Sequence, residues 1–311
     1  MDARAHAGES VIRRGPLRNH GLALSDLVWG AWRCLDHLET DTPDKLAKII
    51  EGCCALGITS FDHADIYGGG EAETHFGAAL HASGLARDEI QLISKCGIQP
   101  MGENYPGNRV KHYDSSPAHI VRSIDRSLKA LGTEYLDLLL LHRPDPLMQA
   151  EETARALERS MQAGKVRAVG VSNFSPSQFA LLERFIPLAT NQIECSLMHL
   201  DPLEDGTLDQ AQNIGFRPMI WSPLGGGQLF APEEERGRRV TEVLHQLGQR
   251  YDEQPSVIAL AWLLAMPSRP LPILGSGRLD RLRTYCRAGD LSLSRQDWFI
   301  LYEASRGYPV A

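Results

Sequence analysis

Long apolar stretches are missing from this chain. The longest unbroken run, residues 257–266, falls far short of the roughly 20 residues a helix needs to cross a bilayer, so no membrane span is expected. A positive field is missing too. The chain has 32 Lys and Arg against 39 Asp and Glu, a formal charge of -7, which argues against nucleic acid and anionic membrane as partners. The opening MDARAHAGESVIRRG has no apolar h-region, so no secretion signal is expected. No Cys-x-x-Cys pair occurs. The six cysteines, at 34, 53, 54, 96, 195 and 286, are scattered, and Cys53 and Cys54 fall inside a helical pattern. In 311 residues this favours buried thiols over a disulfide framework, with the cytoplasm as the expected compartment.

What is present is a repeated alternation. With 43% apolar residues the chain can bury a sizeable core. Short β-rich runs stand at 25–31, 59–62, 90–95, 136–141, 167–171, 190–193, 217–221 and 271–274, several of them continuously apolar, as strands covered on both sides are. Helical patterns separate them. Ser116-Pro117 opens one, with Val121, Ile124, Leu128 and Leu131 at helical spacing and Gly132 at its end. Ser175-Pro176 opens another before Phe179, Leu182 and Phe185. An open doubly wound sheet would carry Gly-x-Gly-x-x-Gly after an early strand, and Gly68-Gly69-Gly70 lack that spacing. Eight strand–helix steps with no linker predict one (β/α)8 TIM-type barrel domain over 1–311. Two long loops, 97–115 and 222–236, follow the third and seventh strands, on the face where such barrels place their chemistry.

The strand ends carry polar residues in succession. Asp62 ends the second strand and Tyr67 follows; Lys95 ends the third, and His142 the fourth. Ser172 and Asn173, then Asn191 and Gln192, then Trp221 and Ser222, and finally Gly275, Ser276 and Gly277 occupy the later ends. Singly, each has a plain reading: a turn or cap Asp, a surface His, a solvated Lys. Together, charges converging on one barrel axis need partners. Three chemistries could use them. His63, Asp65 and His142 could ligate a metal, although His63, next to Asp62, should point the other way along the strand. Lys95 could act as a Schiff-base nucleophile, although a nearby Asp62 favours its ammonium form. Tyr67 could be a proton donor, its pKa of about 10 lowered by Lys95, itself held by Asp62, while His142 orients a carbonyl. Cys96 should face away from Lys95 and pack. Trp29, Trp32 and Tyr105 are candidates for a substrate pocket or for packing.

FDHADIYG, ISKC, LLLLHRP, AVGVSNF, NQIE, WSPLGGG and LPILGSG, in this order, resemble the aldo-keto reductase superfamily, from about Trp29 to Tyr285. The resemblance implies reduction of an aldehyde or ketone by a nicotinamide cofactor. Asp62, Tyr67, Lys95 and His142 match its catalytic tetrad, with Tyr67 as general acid. Ser172, Asn173 and Gln192 match contacts to the nicotinamide carboxamide, and Trp221 the ring that stacks on nicotinamide. Ser222, Leu224 and the glycines around Gly226 would cover the pyrophosphate. Ser276 and Arg281 match positions that hold the 2'-phosphate of NADPH, so NADP(H) is the expected cofactor, with NAD(H) open. The family's common Lys is Gly275 here, with Arg278 as a substitute or a solvated charge, and Tyr285 stands where an Asn often contacts adenine. The resemblance implies no metal. The alternative is a nucleotide-binding regulatory subunit with little turnover. Substrate choice is expected to depend on loops 97–115 and 222–236 and on the tail after Trp298. Oligomeric state is left open.

Overall fold

The protein is described here from a computed structural model covering residues 12–18 and 21–311. Eight parallel strands close into a barrel: β1 (Val28–Gly30), β2 (Ser60–Asp62), β3 (Gln91–Cys96), β4 (Leu136–Leu141), β5 (Val166–Ser172), β6 (Asn191–Glu194), β7 (Met219–Trp221) and β8 (Leu271–Leu274). Each pairs with its neighbours in sequence, and β8 closes on β1 with Ile273 opposite Val28 and Leu274 opposite Trp29. All eight expected segments are strands. The chain is a TIM barrel.

Among the described residues ten α-helices surround it: α1 (Pro43–Ala55), α2 (Ala72–Ser83), α3 (Pro117–Leu131), α4 (Ala150–Gln162), α5 (Pro176–Glu183), α6 (Thr207–Ile214), α7 (Glu235–Tyr251), α8 (Pro255–Leu264), α9 (Leu279–Cys286) and α10 (Arg295–Arg306). The β7-to-β8 step carries two helices, and two more follow β8; α7 and α10 pack on each other. Two tryptophans lock this outer layer, since Trp262 Nε1 donates to the Trp298 carbonyl and Trp298 Nε1 to the Trp262 carbonyl, with the rings stacked at 5.1 Å. Trp298 is therefore a packing residue in a helix. No residue beyond Tyr285 lines the cavity at the strand C-termini.

The caps fall where the sequence puts them. Ser116 accepts from His119 N, Pro117 opens α3, and Gly132 ends it in the left-handed region. Ser175 and Gln178 form a capping box at α5. Two apolar residues depart from expectation. Val121 is 41% exposed because Ile120, Ile124, Leu128 and Leu131 make the buried stripe. Phe185 is 42% exposed because α5 ends at Glu183.

Alternation along the strands separates two cores. Leu92, Leu139, Leu141, Val169 and Val171 face the helices, whereas Val28, Ile93, Leu138, Leu140, Met219 and Leu271 fill the barrel. Leu17 and Leu24 join this inner cluster. They belong to a chain that forms an antiparallel hairpin, Arg14–Pro16 with Ala23–Ser25, across the N-terminal ends of the strands. Ser25 N donates to Ser60 Oγ, Arg217 N to the Leu17 carbonyl, and Arg217 pairs with Asp26 at 2.8 Å. The hairpin covers that end of the barrel. Among the described residues no helix is long and apolar enough to cross a membrane.

Leu138 is fully buried in the inner cluster. Leu138→Ala should lower the unfolding free energy by about 2–5 kcal/mol, as a rigid-walled cavity costs, read by urea titration. A loss under 1 kcal/mol (roughly the cost of a surface change) would show that the barrel interior is loosely filled.

Candidate active site

β2 sorts its side chains by parity. Phe61 points outward against Trp29 and Phe76, Asp62 points into the barrel, and His63 points outward again. His63 meets Phe76 edge-on at 4.3 Å, and both its ring nitrogens are buried without a partner. Burial, and then the Lys95 charge, push its pKa down to about 3, so it is neutral. The loop beyond ties itself to α3. Asp65 Oδ2 accepts from Arg126 at 2.9 Å and from Ser123 at 3.0 Å, while burial raises its pKa to about 7 despite Arg126. His63, Asp65 and His142 are thus not brought together as ligands: His63 lies outside the strand, and His142 faces the cavity.

Gly68, with φ +57, turns the loop back; an added Cβ would stand 2.5 Å from Leu35 Cδ1. This turn brings Tyr67 over the barrel mouth. From β3, Lys95 points inward with 1% of its side chain exposed. Its Nζ donates to Asp62 Oδ2 at 2.7 Å, to the His63 carbonyl at 2.8 Å and to the Tyr67 hydroxyl at 3.0 Å. Burial alone would depress the ammonium, but Asp62 and Tyr67 outweigh it, and the Lys95 pKa is raised. A raised pKa is the opposite of what an amine nucleophile needs. Gln192 Nε2 holds the other oxygen of Asp62 at 2.8 Å.

The Tyr67 phenol departs from the expected direction. Burial raises its pKa, Asp62 adds to that, and Lys95 and Arg143 pull it down without prevailing. Tyr67 is a neutral O–H beside a cation. His142, whose ring lies edge-on to Tyr67 at 6.0 Å, is held well below its usual pKa by burial, then by Lys95, Arg143 and Lys111. Its imidazole is neutral. Cys96 packs among the outward-facing residues of β3, as the alternation requires.

Asp62, Tyr67, His142 and Gln192 line a cavity of about 830 Å³, within the usual range for small-molecule and cofactor sites, with Lys95 just beneath it. Trp221, Ser222, Leu224, Gly226, Ser276, Arg281 and Tyr285 also line it. Ser172 and Asn173 lie behind its wall: Trp221 Nε1 donates to Asn173 Oδ1 at 3.1 Å, and Asn173 Nδ2 to Ser172 Oγ at 3.2 Å. At the far end Arg278 is engaged with Asp280 through two hydrogen bonds, whereas Arg281 forms no ion pair among the described residues. Of the two arginines, Arg281 is the one open to a ligand phosphate. The Trp29 indole donates to the Ser276 carbonyl at 2.9 Å, so Trp29 packs and braces; Trp32 lines the cavity, and Tyr105 does not. Gly226 presents bare backbone to the cavity, since a Cβ there would meet no protein atom within 4 Å. The cleft thus carries aromatic and amide groups, Trp221 and Gln192, together with Arg281.

One residue at the reacting end escaped the sequence reading. Arg143 lines the cavity and donates to the His142 carbonyl at 2.7 Å. Its position, directly after His142 in LLLLHRP, was the available signal.

A parallel barrel thus holds, at its strand C-termini, a buried lysine ion-paired to an aspartate and hydrogen-bonded to a tyrosine. Residues 26–306 match the model of the Aldo/keto reductase family, and the chain belongs to that family. It is 44% identical over 292 residues to a 6-dehydroglucose reductase of Agrobacterium fabrum, covering 93% of this chain and 97% of that one. It is 43% identical over 304 residues to the oxidoreductase YdhF of Escherichia coli, covering 96% and 100%. Among solved structures, the thermostable aldo-keto reductase Tm1743 superposes with a TM-score of 0.79 at 26% identity, covering 94% and 99%. The protein is an NAD(P)H-dependent oxidoreductase acting on small carbonyl compounds.

The buried His63 gives a pH signature. Its folded pKa lies below its unfolded value near 6.5, so the stability of the neutral site is present above pH 6.5 and lost as pH falls toward about 3. Asp65, raised to about 7, acts in the opposite sense: its contribution is present at low pH and lost as pH rises through 7. His63→Leu removes the first contribution only. Denaturant titrations should show the variant gaining on the native protein by up to about 3 kcal/mol between pH 7 and pH 4. A constant difference across that range would sink the assignment.

Proposed function

We propose that the protein reduces an aldehyde or ketone to an alcohol with NADPH, with Tyr67 as the proton donor. The observation that carries this reading is the Tyr67 hydroxyl 3.0 Å from a buried Lys95 ammonium that Asp62 holds at 2.7 Å. The cofactor supplies hydride to the carbonyl carbon. The chain's own residues do the rest. A carbonyl oxygen set against Tyr67 and His142 accepts the phenolic proton as negative charge develops on it. The electron pair left on the Tyr67 oxygen faces the Lys95 ammonium, which is already in place and needs no reorganisation. Tyr67, with its pKa raised, holds the proton that it gives to the substrate, and His142, held well below its usual pKa, is too weak a base to take that proton in its place. The phenol regains its proton from solvent through the open mouth.

For the cofactor, Trp221 offers a ring to stack on nicotinamide, and Gln192, already anchored to Asp62, stands beside it in the cavity wall. Ser172 Oγ donates to the Gln192 carbonyl at 3.0 Å and Asn173 Oδ1 accepts from Trp221, which leaves Asn173 a second lone pair and a second N–H for a carboxamide. Ser222, Leu224 and Gly226 would border the pyrophosphate, and Ser276 and Arg281 the 2'-phosphate. The unpaired Arg281 supports NADPH over NADH. Buried cysteines at 34, 53, 96 and 195 support a reducing, cytoplasmic setting. The relative named 6-dehydroglucose reductase makes hydroxylated aldehydes the first substrates to offer.

Tyr67→Phe should lower carbonyl turnover by roughly 10²–10⁴-fold, the usual worth of a general acid, while NADPH binding, followed by fluorescence, persists. Undiminished turnover would place the acid elsewhere. Arg281→Gln should weaken NADPH by roughly 10–100-fold and leave NADH nearly unchanged, as loss of a charge-assisted phosphate contact requires. Equal weakening of the two cofactors would show that Arg281 does not read the 2'-phosphate.

A further inference from the structure

Apart from Arg33, whose guanidinium lies 5.0 Å from the Trp32 ring centre, the charges lining the cavity divide into two groups. Arg278 and Arg281 lie near Tyr285 and the Gly275–Gly277 turn, with Glu39 in the field of Arg278. At the other end Lys111 and Arg143 both act on His142. The carboxylate lining that end is Asp62, whose oxygens are taken by Lys95 and Gln192. Two cations therefore face the reacting end of the cavity with no carboxylate to spare.

Arg143 is the more telling of the two. Comparable half-buried or buried arginines are matched to acids: Arg18 to Glu183 at 2.6 Å, Arg87 to Asp137 at 2.7 Å, Arg217 to Asp26 at 2.8 Å. Arg143 is half-buried and has no such partner among the described residues. Its Nη1 donates to the His142 carbonyl at 2.7 Å and approaches Ser172 Oγ at 3.4 Å, with the guanidinium 6.0 Å from the Trp221 ring centre. Glu194 and Tyr113 lie in its field, but Glu194 is closest to an ion pair with His199, at 4.0 Å. A guanidinium carries five N–H donors, and one nitrogen accounts for both bonds. The remaining donors keep contact with solvent and are open to an acceptor that enters the cavity.

We propose that Arg143 and Lys111 form a substrate-recognition subsite. It binds an oxygen-acceptor group, either hydroxyl or acid, carried on the chain of the carbonyl compound beyond the reacting carbon. The inference rests on the reading of the cavity as a carbonyl-reducing site and adds the class of carbonyl compound. Guanidinium favours planar, two-point acceptors such as a carboxylate or a vicinal diol, and Lys111, exposed at the rim, adds a mobile point charge.

The test uses three four-carbon aldehydes with the full-length protein and NADPH: butanal, succinic semialdehyde and erythrose. Either oxygen-bearing aldehyde should exceed butanal in kcat/KM by at least about tenfold, as one charge-assisted contact gives. The favoured arm identifies acid or hydroxyl. Arg143→Met and Lys111→Met should each shrink that ratio, chiefly through KM. Because Arg143 also braces His142, its loss will slow all three substrates, but the ratio within one variant cancels that loss. Butanal reduced as efficiently as both others, or a ratio unchanged in both variants, overturns the subsite. Failure to reduce any aldehyde would instead remove the carbonyl-reduction reading, and the subsite with it.

Discussion

An ammonium group inside a barrel is tolerated only if each of its protons finds an acceptor. Lys95 meets that condition completely, with a carboxylate, a backbone carbonyl and a phenol at 2.7, 2.8 and 3.0 Å. Desolvating such a charge costs several kcal/mol, and the return comes only when all three partners hold still. Much of the upper barrel follows. Gln192 fixes the second oxygen of Asp62, the Arg126–Asp65 pair fastens the loop between Asp62 and Tyr67, and left-handed Gly68 lets that loop double back. The ammonium that meets the Tyr67 hydroxyl is the same group that ties down the loop carrying it, through the His63 carbonyl.

Strand parity does the sorting. Adjacent residues on β2 have opposite fates: Asp62 enters the cavity, while His63 is pressed against Phe76 with neither ring nitrogen satisfied. On β3, Lys95 turns in and Cys96 turns out. Chemistry and packing are thus interleaved at single-residue spacing, and a one-residue slip would exchange them. The closed register of the barrel forbids that slip.

The sequence made the barrel legible because short β-rich runs and helical patterns alternate eight times, two of the helices opening on Ser-Pro caps, and local signals of that kind survive tertiary context. The ends of strands two, three and four were legible because Asp62, Lys95 and His142 are charged or polar groups where such runs stop. Other features depended on side-chain partners that no linear pattern encodes. Burial, not the neighbouring ammonium, decides the direction of the Tyr67 pKa, and burial depends on a loop folding over. Arg278 and Arg281 look equivalent in sequence, yet Asp280 occupies the first and not the second. Arg143 reads as one more charge until its lack of an acidic partner is seen beside the pairs made by Arg87 and Arg217. Val121 looked apolar at helical spacing, but the stripe that packs begins one residue earlier.

The hairpin carrying Leu17 and Leu24 seals the N-terminal end of the strands with apolar side chains and with hydrogen bonds to Ser60 and Arg217. The barrel interior is already filled by Val28, Ile93, Leu138 and Leu140, so the hairpin thickens that packing from below and plugs no channel. The cavity opens at the other end of the strands, where Asp62 and His142 stand. The loops there rest on a floor whose packing they do not share.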